Sequence, residues 1–468
     1  MSRTWRGLAP LRHRGFRLLA TGQLTSNVGD AFYAVALPWY VLSDHGGALL
    51  LGTVLAAYGI PRTVLLAVGG QASDRWGPWT VMMASDGVRV LAAAALAVAA
   101  ATGPARAVIL VPIAVLLGAG EGMFLPGSFS IIPALLPDAD LQAGNALASA
   151  GTQLATLIGP ALGGAMVALA GPSPAFGLDA ASFAVSALTL AGVRAAQRAP
   201  GAAAPRAGSG AGTAVAPASG TPAPSAPSGL GTQTVRGLLR SERVLQLILL
   251  VTVVANLGSG GIDGVALPSL AHGPLHTGAG GFGALIAAFG AGALLGTLVA
   301  AHAGRARRPA IAGSAAFLAE AIFMAVIPYL GSAWGAAAAL VGLGAMNGFG
   351  NVVMITAFQR WAPPNMLGRL SGVLMLASFG VFPISVVLAA VVVHDLGPAA
   401  FFPLAAGALA LAILLGISQR SWRNFGAAAD PAADQSAPTP DNSPSVPTPD
   451  DIQPGTVPAA PQTVRYTS

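Results

Sequence analysis

The sequence predicts an all-α integral membrane protein of twelve transmembrane helices, arranged as two pseudo-symmetric six-helix bundles with both termini cytoplasmic. Three observations predict it. Of 468 residues, 54% are hydrophobic and 9% charged, where a soluble chain carries about a quarter charged. The arginines gather on one side of the apolar stretches, and the two halves of the chain repeat each other.

A span needs about 20 mostly apolar residues. Twelve stretches qualify, each closed by a Gly/Pro turn or a charge: 18–42, 48–70, 80–102, 107–133, 145–170, 174–193, 245–270, 281–303, 310–330, 334–357, 369–393 and 399–418. The first is too long for a signal-peptide core, and Gln23, Asn27 and Asp30 within it do not suit one, so no cleavable signal peptide is expected.

All 23 basic residues are arginine, and the chain has no lysine and no cysteine. A Walker A loop needs its lysine to reach the β- and γ-phosphates, and pyridoxal chemistry needs a Schiff-base lysine. Disulfides, thiolate nucleophiles and Cys-ligated metals are likewise excluded, and no cofactor is expected. With the N-terminus inside, 20 of the 23 arginines fall on the inner side, including Arg3 to Arg17, Arg75, Arg194 to Arg243, Arg305 to Arg308, Arg360, Arg369, Arg420, Arg423 and Arg465. Only Arg106 is outside; Arg62 and Arg89 lie within spans. Short cytoplasmic loops retain arginine, which fixes the orientation.

Residues 1–17 form a basic N-terminus, better explained as a topology signal and anionic-lipid contact than as a nucleic-acid patch. The bundles cover 18–193 and 245–418, joined by a linker over 194–244. Residues 200–230 are almost wholly Ala, Pro, Gly, Ser and Thr, and 419–468 is a tail whose last part, from 426, carries five aspartates. Such compositions bury too little apolar surface to offset ordering entropy, so both are expected to be disordered.

The halves match residue by residue. Val35-Ala36-Leu37-Pro38 recurs as Val265-Ala266-Leu267-Pro268, Ala56-Ala57-Tyr58-Gly59 as Ala287-Ala288-Phe289-Gly290, and Leu117-Gly118-Ala119-Gly120-Glu121-Gly122 as Leu343-Gly344-Ala345-Met346-Asn347-Gly348. The offsets are 230, 231 and 226. Two duplicated halves around a midplane site are a transporter pattern.

The halves, the loop 2–3 sequence Gly70-Gln71-Ala72-Ser73-Asp74-Arg75-Trp76-Gly77 and the fifth-span Gly159-Pro160-Ala161-Leu162-Gly163-Gly164 resemble the major facilitator superfamily. Leu11 to Arg17, Asn27-Val28-Gly29-Asp30, and Leu125-Pro126 through Pro137 are similar to its branch of twelve-helix proton-coupled effluxers, which includes macrolide efflux and enterobactin exporter proteins. The likeness covers roughly 10–195 and 240–420. Three positions depart from the pattern: Pro78 and Trp79 stand where the family has basic residues, and Ala155 where it has glycine.

An ionisable residue in hydrocarbon costs roughly 2.5–3.5 kcal/mol on insertion scales, so each one in a span requires a reason. Gln23, Asn27 and Asp30 share one face of the first span, which must point into the bundle. Asp30 is a candidate proton-titrating or cation-binding carboxylate; the alternative is an ion pair with Arg62. Glu121 and Glu320 are central in the fourth and ninth spans. Desolvation disfavours a charged carboxylate, so either would exchange a proton as a cavity opens and closes. Alternatively, Glu121 pairs with Arg62 or Arg89, and Glu320 bonds a neighbouring helix. Glu121 corresponds to Asn347 in the repeat, which places the proton-active site in the N-terminal half.

By resemblance, Gly70, Asp74, Arg75 and Gly77 form an inner gate, with Asp74 facing a helix N-terminus of the other half, where the macrodipole favours an anion. Asp86 and Arg89, three apart, suit a local pair supporting that gate. Asn145, Ser149, Thr152, Thr156, Gly159 and Gly163 run down one side of the fifth span as a seam for close helix packing; the resemblance implies that Gly159, Pro160, Gly163 and Gly164 seal against proton leak.

Gly278 to Gly283 satisfies G-x-G-x-x-G, but no strand precedes it. His272 and His276 have Gly273-Pro274 between them and no further ligand, so no metal is expected. The leading expectation is a proton-coupled exporter of an amphipathic small molecule, a drug or secondary metabolite, acting as a monomer in a bacterial plasma membrane. The alternatives are export of a siderophore or other anion attracted by Arg62 and Arg89, and a non-transporting scaffold or receptor. The chain is not expected to be an enzyme.

Overall fold

A computed structural model describes residues 8–198, 235–302, 308–363 and 366–426. The linker expected to be disordered over 200–230, the tail beyond 426, and Arg3, Arg6, Arg206, Arg305, Arg307 and Arg465 lie outside the described residues. Among the described residues the chain is helical throughout, without strands. Twelve segments form α1 (Arg14–Ser43), α2 (Gly47–Trp76), α3 (Pro78–Thr102), α4 (Ala107–Leu135), α5 (Asp138–Ala170) and α6 (Pro172–Arg198) in the N-terminal half. The C-terminal half has α7 (Arg243–His272), α8 (Gly278–His302), α9 (Pro309–Tyr329), α10 (Ala333–Trp361), α11 (Leu367–Leu396) and α12 (Phe401–Ser418). Eleven are long and apolar enough to cross a membrane. The twelfth, α1, has the length, with 30 residues, and is the one that carries the Gln23, Asn27, Asp30 stripe.

The helices begin and end where local chemistry dictates. Pro78 and Pro309 open α3 and α9, at a position where proline's missing N–H costs nothing. Their offset, 231, continues the repeat. Gly77 turns the chain between α2 and α3 with φ +83°, a conformation that glycine adopts without strain. The segment Gly70 to Trp76, expected as a loop, is instead the last two turns of α2; only Gly77 lies between the helices. A further difference appears after α12, where the tail was expected to begin. Arg420–Arg423 forms one more helical turn, Trp422 is fully buried, and its Nε1 donates to Ser314 Oγ at 2.9 Å. In the expected linker, Val235–Ser241 is helical.

Within each half the helices approach through glycine. A methyl group on Gly118 of α4 would lie 3.0 Å from Tyr58 Cα of α2, and one on Gly122 would lie 3.0 Å from Arg62 Cα. The repeat partners behave alike: a methyl on Gly344 of α10 would lie 2.9 Å from Ala293 N of α8, and one on Gly348 2.9 Å from the Ala293 carbonyl carbon. Bundles in lipid rely on such close backbone packing, because apolar contact with a neighbouring helix offers little over contact with lipid tails.

The halves meet chiefly through two helix pairs, α5 with α8 and α2 with α11, with smaller contacts of α1 with α7 and α8 and of α2 with α7. A methyl on Gly164 would lie 2.8 Å from Ala279 O and 2.9 Å from Gly283 Cα. On the other side, a methyl on Gly59 would lie 3.0 Å from Pro383 Cγ, and Thr63 Oγ1 donates to Phe379 O at 3.3 Å. At the same end, Trp39 of α1 meets His272 of α7 edge to face, with ring centroids 5.1 Å apart. Apart from Thr63 with Phe379, which lies near mid-depth, these contacts lie toward the connections at 43–47, 170–172, 272–278 and 396–401. At the opposite end, which carries the termini, Val64, Val68 and Trp76 of α2 and Met375 and Leu376 of α11 are exposed. Nothing lies within 4 Å of a methyl placed on Gly70, Gly77 or Gly372. The contacts named between the halves run from the first of these ends to mid-depth.

Candidate functional site: an acidic interior between the halves

Four acids and two arginines stand deep within the helices of the N-terminal half: Asp30 on α1, Asp86 and Arg89 on α3, Arg62 on α2, Glu121 on α4 and Asp179 on α6. Their pairing follows from helix proximity. The Gly122 contact brings α4 against the backbone of Arg62, which puts the neighbouring Glu121 within reach. Arg62 Nη2 lies 3.0 Å from Glu121 Oε1, and the two side chains are 20% and 23% exposed. The Arg62 guanidinium also lies 4.9 Å from the Phe379 ring centroid of α11 and 5.9 Å from that of Tyr58.

The ion pair of Asp30 with Arg62 that the sequence allowed is therefore not formed, since Arg62 turns to Glu121. Asp30 is partly exposed and has no hydrogen bond or ion pair among the described residues. The cations acting on it electrostatically are Arg89 and Arg62. One turn away, Asn27 Nδ2 donates to Thr152 Oγ1 at 3.1 Å, tying α1 to α5. The Tyr33 ring lies tilted against those of Tyr58 and Phe176, with centroids 6.2 Å and 6.1 Å away.

Arg89 binds Asp86 as the spacing predicts, but the pair lies in the dry interior among α3, α4 and α6 rather than beside the Gly70 to Gly77 segment it was expected to support. Ser186 Oγ donates to Asp86 Oδ2 at 2.7 Å, and the Arg89 guanidinium sits 4.2 Å from the Phe124 centroid and 4.3 Å from that of Phe183. Asp74 and Arg75 are exposed, and Arg75 lies 5.9 Å from the ring of Trp76. The expected contact of Asp74 with the other half is absent among the described residues.

The C-terminal half is polar without being cationic. Glu320 of α9 is 4% exposed; its Oε1 accepts from Asn347 Nδ2 at 3.1 Å, and Asn351 Nδ2 donates to Asn347 Oδ1 at 3.0 Å. The bond from Glu320 to a neighbouring helix is thus present. By the 231 offset Glu320 occupies the position of Arg89, so equivalent places in the two halves hold opposite charges. Asn351, four residues beyond Asn347, was not singled out from the sequence, nor was Phe379, whose role depends on a contact between distant helices.

The fifth-helix glycines divide their work. A methyl on Gly163 would lie 3.0 Å from Phe32 Cα of α1, whereas Gly164 and the Pro160 carbonyl face Gly283 of α8 in the other half. An apolar groove of about 330 Å³ between α2, α3 and α4, lined by Leu65, Trp76, Val88 and Leu116, lies apart from these charges. No cluster of three metal-ligating side chains occurs among the described residues.

Two repeated six-helix bundles with carboxylates at mid-depth form a two-fold repeat of the kind found in membrane transporters. A model of the Major Facilitator Superfamily matches residues 19–381, and the chain belongs to that family. It is 32% identical over 183 residues to the multidrug efflux pump Tap of Mycolicibacterium fortuitum, 38% of this chain and 44% of that protein. The chain thus spans less than half the length of the efflux pumps it matches. Over 397 residues, 81% of this chain and 88% of the other, it is 27% identical to the uncharacterized MFS-type transporter y4rN of Sinorhizobium fredii. In fold it is similar to the nucleoside transporter NupG, with a TM-score of 0.63 at 11% identity over 86% of this chain and 99% of that one. It is also similar to a peptide transporter POT in complex with sulfate, with a TM-score of 0.65 at 15% identity over 88% and 96%.

Proposed function

We propose that this chain is a proton-coupled exporter of amphipathic, cationic or neutral small molecules, working as a monomer by alternating access. The observation that carries the reading is the charge balance around the cavity: Arg62 is paired with Glu121 and Arg89 with Asp86, which leaves Asp30 as a carboxylate without a counter-ion. Such a group attracts either a proton or a cationic substrate, and competition between the two for one site is the simplest form of antiport. With both arginines engaged, no free cation near mid-depth among the described residues favours an anionic substrate, which argues against siderophore export. The multidrug efflux pumps that match part of the chain support the efflux direction. With both termini cytoplasmic, as the arginine distribution requires, contacts between the halves that run from the outer end to mid-depth fit an inward-open conformation. Asp74 and Arg75 then belong to a gate that closes in the opposite state.

The reading is tested in energised inverted vesicles. Adding a lipophilic cation such as ethidium should dissipate the proton gradient in vesicles containing the protein, and Asp30→Asn or Glu121→Gln should block this. Full coupling in both variants would remove these residues from the mechanism, and no substrate-dependent dissipation across a drug panel would remove proton coupling.

A further inference from the structure

Asp179 has no part in the exchange just described, yet it is the more demanding carboxylate. It lies on α6, is 2% exposed, and its Oδ1 is buried without any hydrogen-bond partner. The nearest hydroxyl on its own helix is spent elsewhere: Ser182 Oγ donates to the Asp179 backbone carbonyl at 2.7 Å. Ser186 Oγ, two turns on, donates to Asp86.

The groups facing Asp179 come from each neighbouring helix. From α1 there are Asp30 and Tyr33, from α3 Arg89 with its partner Asp86, and from α4 Glu121 with Arg62 of α2 attached. Each arginine is ion-paired with another acid, and although Arg89 acts on Asp179 at a distance, neither arginine forms an ion pair or hydrogen bond with it among the described residues. Asp179 also lies against the backbone of the residue before Asp30: a methyl group on Gly29 would be 2.7 Å from Asp179 Oδ1 and 2.8 Å from Ser182 Cβ. The absence of a side chain at Gly29 is what lets this carboxyl reach α1.

A buried carboxylate with neither donor nor counter-ion neutralises in preference to remaining charged, and within a membrane the preference is stronger. Asp30 differs in being partly exposed. We propose that Asp179 holds a proton in this conformation and is a second proton-binding residue of the N-terminal half, exchanging that proton with the Asp30 carboxylate across the Gly29 contact. In the exchange, the O–H bond at Asp179 breaks as one forms at Asp30, and the negative charge moves the other way. Asp179 becomes ionised only when α6 and α1 shift so as to wet it or bring it a donor. The exchange rests on the proton-linked reading above, whereas the protonation of Asp179 does not.

The experiment is infrared difference spectroscopy on the full chain in lipid nanodiscs, without substrate. The wild type at neutral pH should show the carbonyl stretch of a protonated carboxylic acid, and the band should fall by one residue's intensity in Asp179→Asn; an unchanged band overturns the assignment. Should Asp179→Asn fail to fold, a ¹³C-aspartate-labelled Asp30→Asn/Asp263→Asn variant leaves only Asp86 and Asp179 as aspartates deep in the helices. The isotope-shifted band should persist there, and its loss overturns the assignment equally. Transport then separates the two parts. Asp179→Asn should lower the number of protons exchanged per substrate, and an unchanged ratio with a lost band overturns the exchange while leaving the protonation.

Discussion

Arg62 and Phe379 stand on opposite halves of the protein, and the guanidinium of one lies 4.9 Å from the ring centroid of the other while its Nη2 remains 3.0 Å from Glu121. The ion pair of one half is therefore in contact with a helix of the other. A change in charge at Glu121 would release Arg62 and, with it, a contact worth about 0.5–2 kcal/mol at the point where α2 and α11 part.

The Arg62 and Glu121 side chains should prove energetically coupled. Arg62→Gln and Glu121→Gln are each expected to lower thermal stability in detergent by roughly 1–3 kcal/mol, since each leaves a charged partner unsatisfied. The double variant should lose less than the sum, with a coupling energy of about 0.5–3 kcal/mol. Additive losses would show that the pair is not made in the membrane.

The end carrying the termini should close. With no native cysteine in the chain, spin labels can be placed directly at Gln71→Cys and Gly372→Cys, on α2 and α11 at the end carrying the termini. Pulsed electron paramagnetic resonance should show a second, shorter distance when pH or substrate is varied. A pair at Leu49→Cys and Val391→Cys, at the opposite end, should lengthen under the same conditions. A single unchanging distance for both pairs would rule out rocking of the halves.

The glycine seams should tolerate no methyl group. Gly118→Ala and Gly344→Ala are each expected to destabilise the protein by about 1–3 kcal/mol or more through overpacking, because the added carbon meets the backbone of α2 or α8. Gly87→Ala and Gly407→Ala, where nothing lies within 4 Å, should be neutral or slightly stabilising. Melting temperatures in a single detergent make the comparison.

The end of the fold should lie after Phe425, not after Ser418. Trp422→Ala removes a fully buried side chain and its bond to Ser314, for which roughly 3–5 kcal/mol is usual. Truncation after residue 418 should reduce the yield of folded protein to a similar degree, and truncation after residue 426 should not. Equal yields from both truncations would show that the Trp422 contact contributes nothing.

Much of this architecture is a consequence of sequence alone, because a bilayer leaves few choices. Apolar runs of sufficient length must be helices, arginines must stay where the positive-inside rule holds them, and a repeat at offsets of 226 to 231 must fold twice into the same bundle. The glycines at 118, 122, 344 and 348 were legible within that repeat. Local spacing also supplied the pairing of Asp86 with Arg89, since residues three apart on a helix are neighbours. The partner of Arg62 could not be read in this way. Asp30 and Glu121 were both open to it, and the choice fell to Glu121 because the Gly122 contact packs α4 directly on α2. Nor could the sequence say that, among the described residues, Asp74 and Arg75 would stand without a partner across the halves, that Trp422 would be buried, or that Asp179 would be sealed against Gly29 with no donor. Those outcomes depend on which helices approach, how closely and at which end the halves touch, and these are properties of the assembled bundle rather than of any one helix.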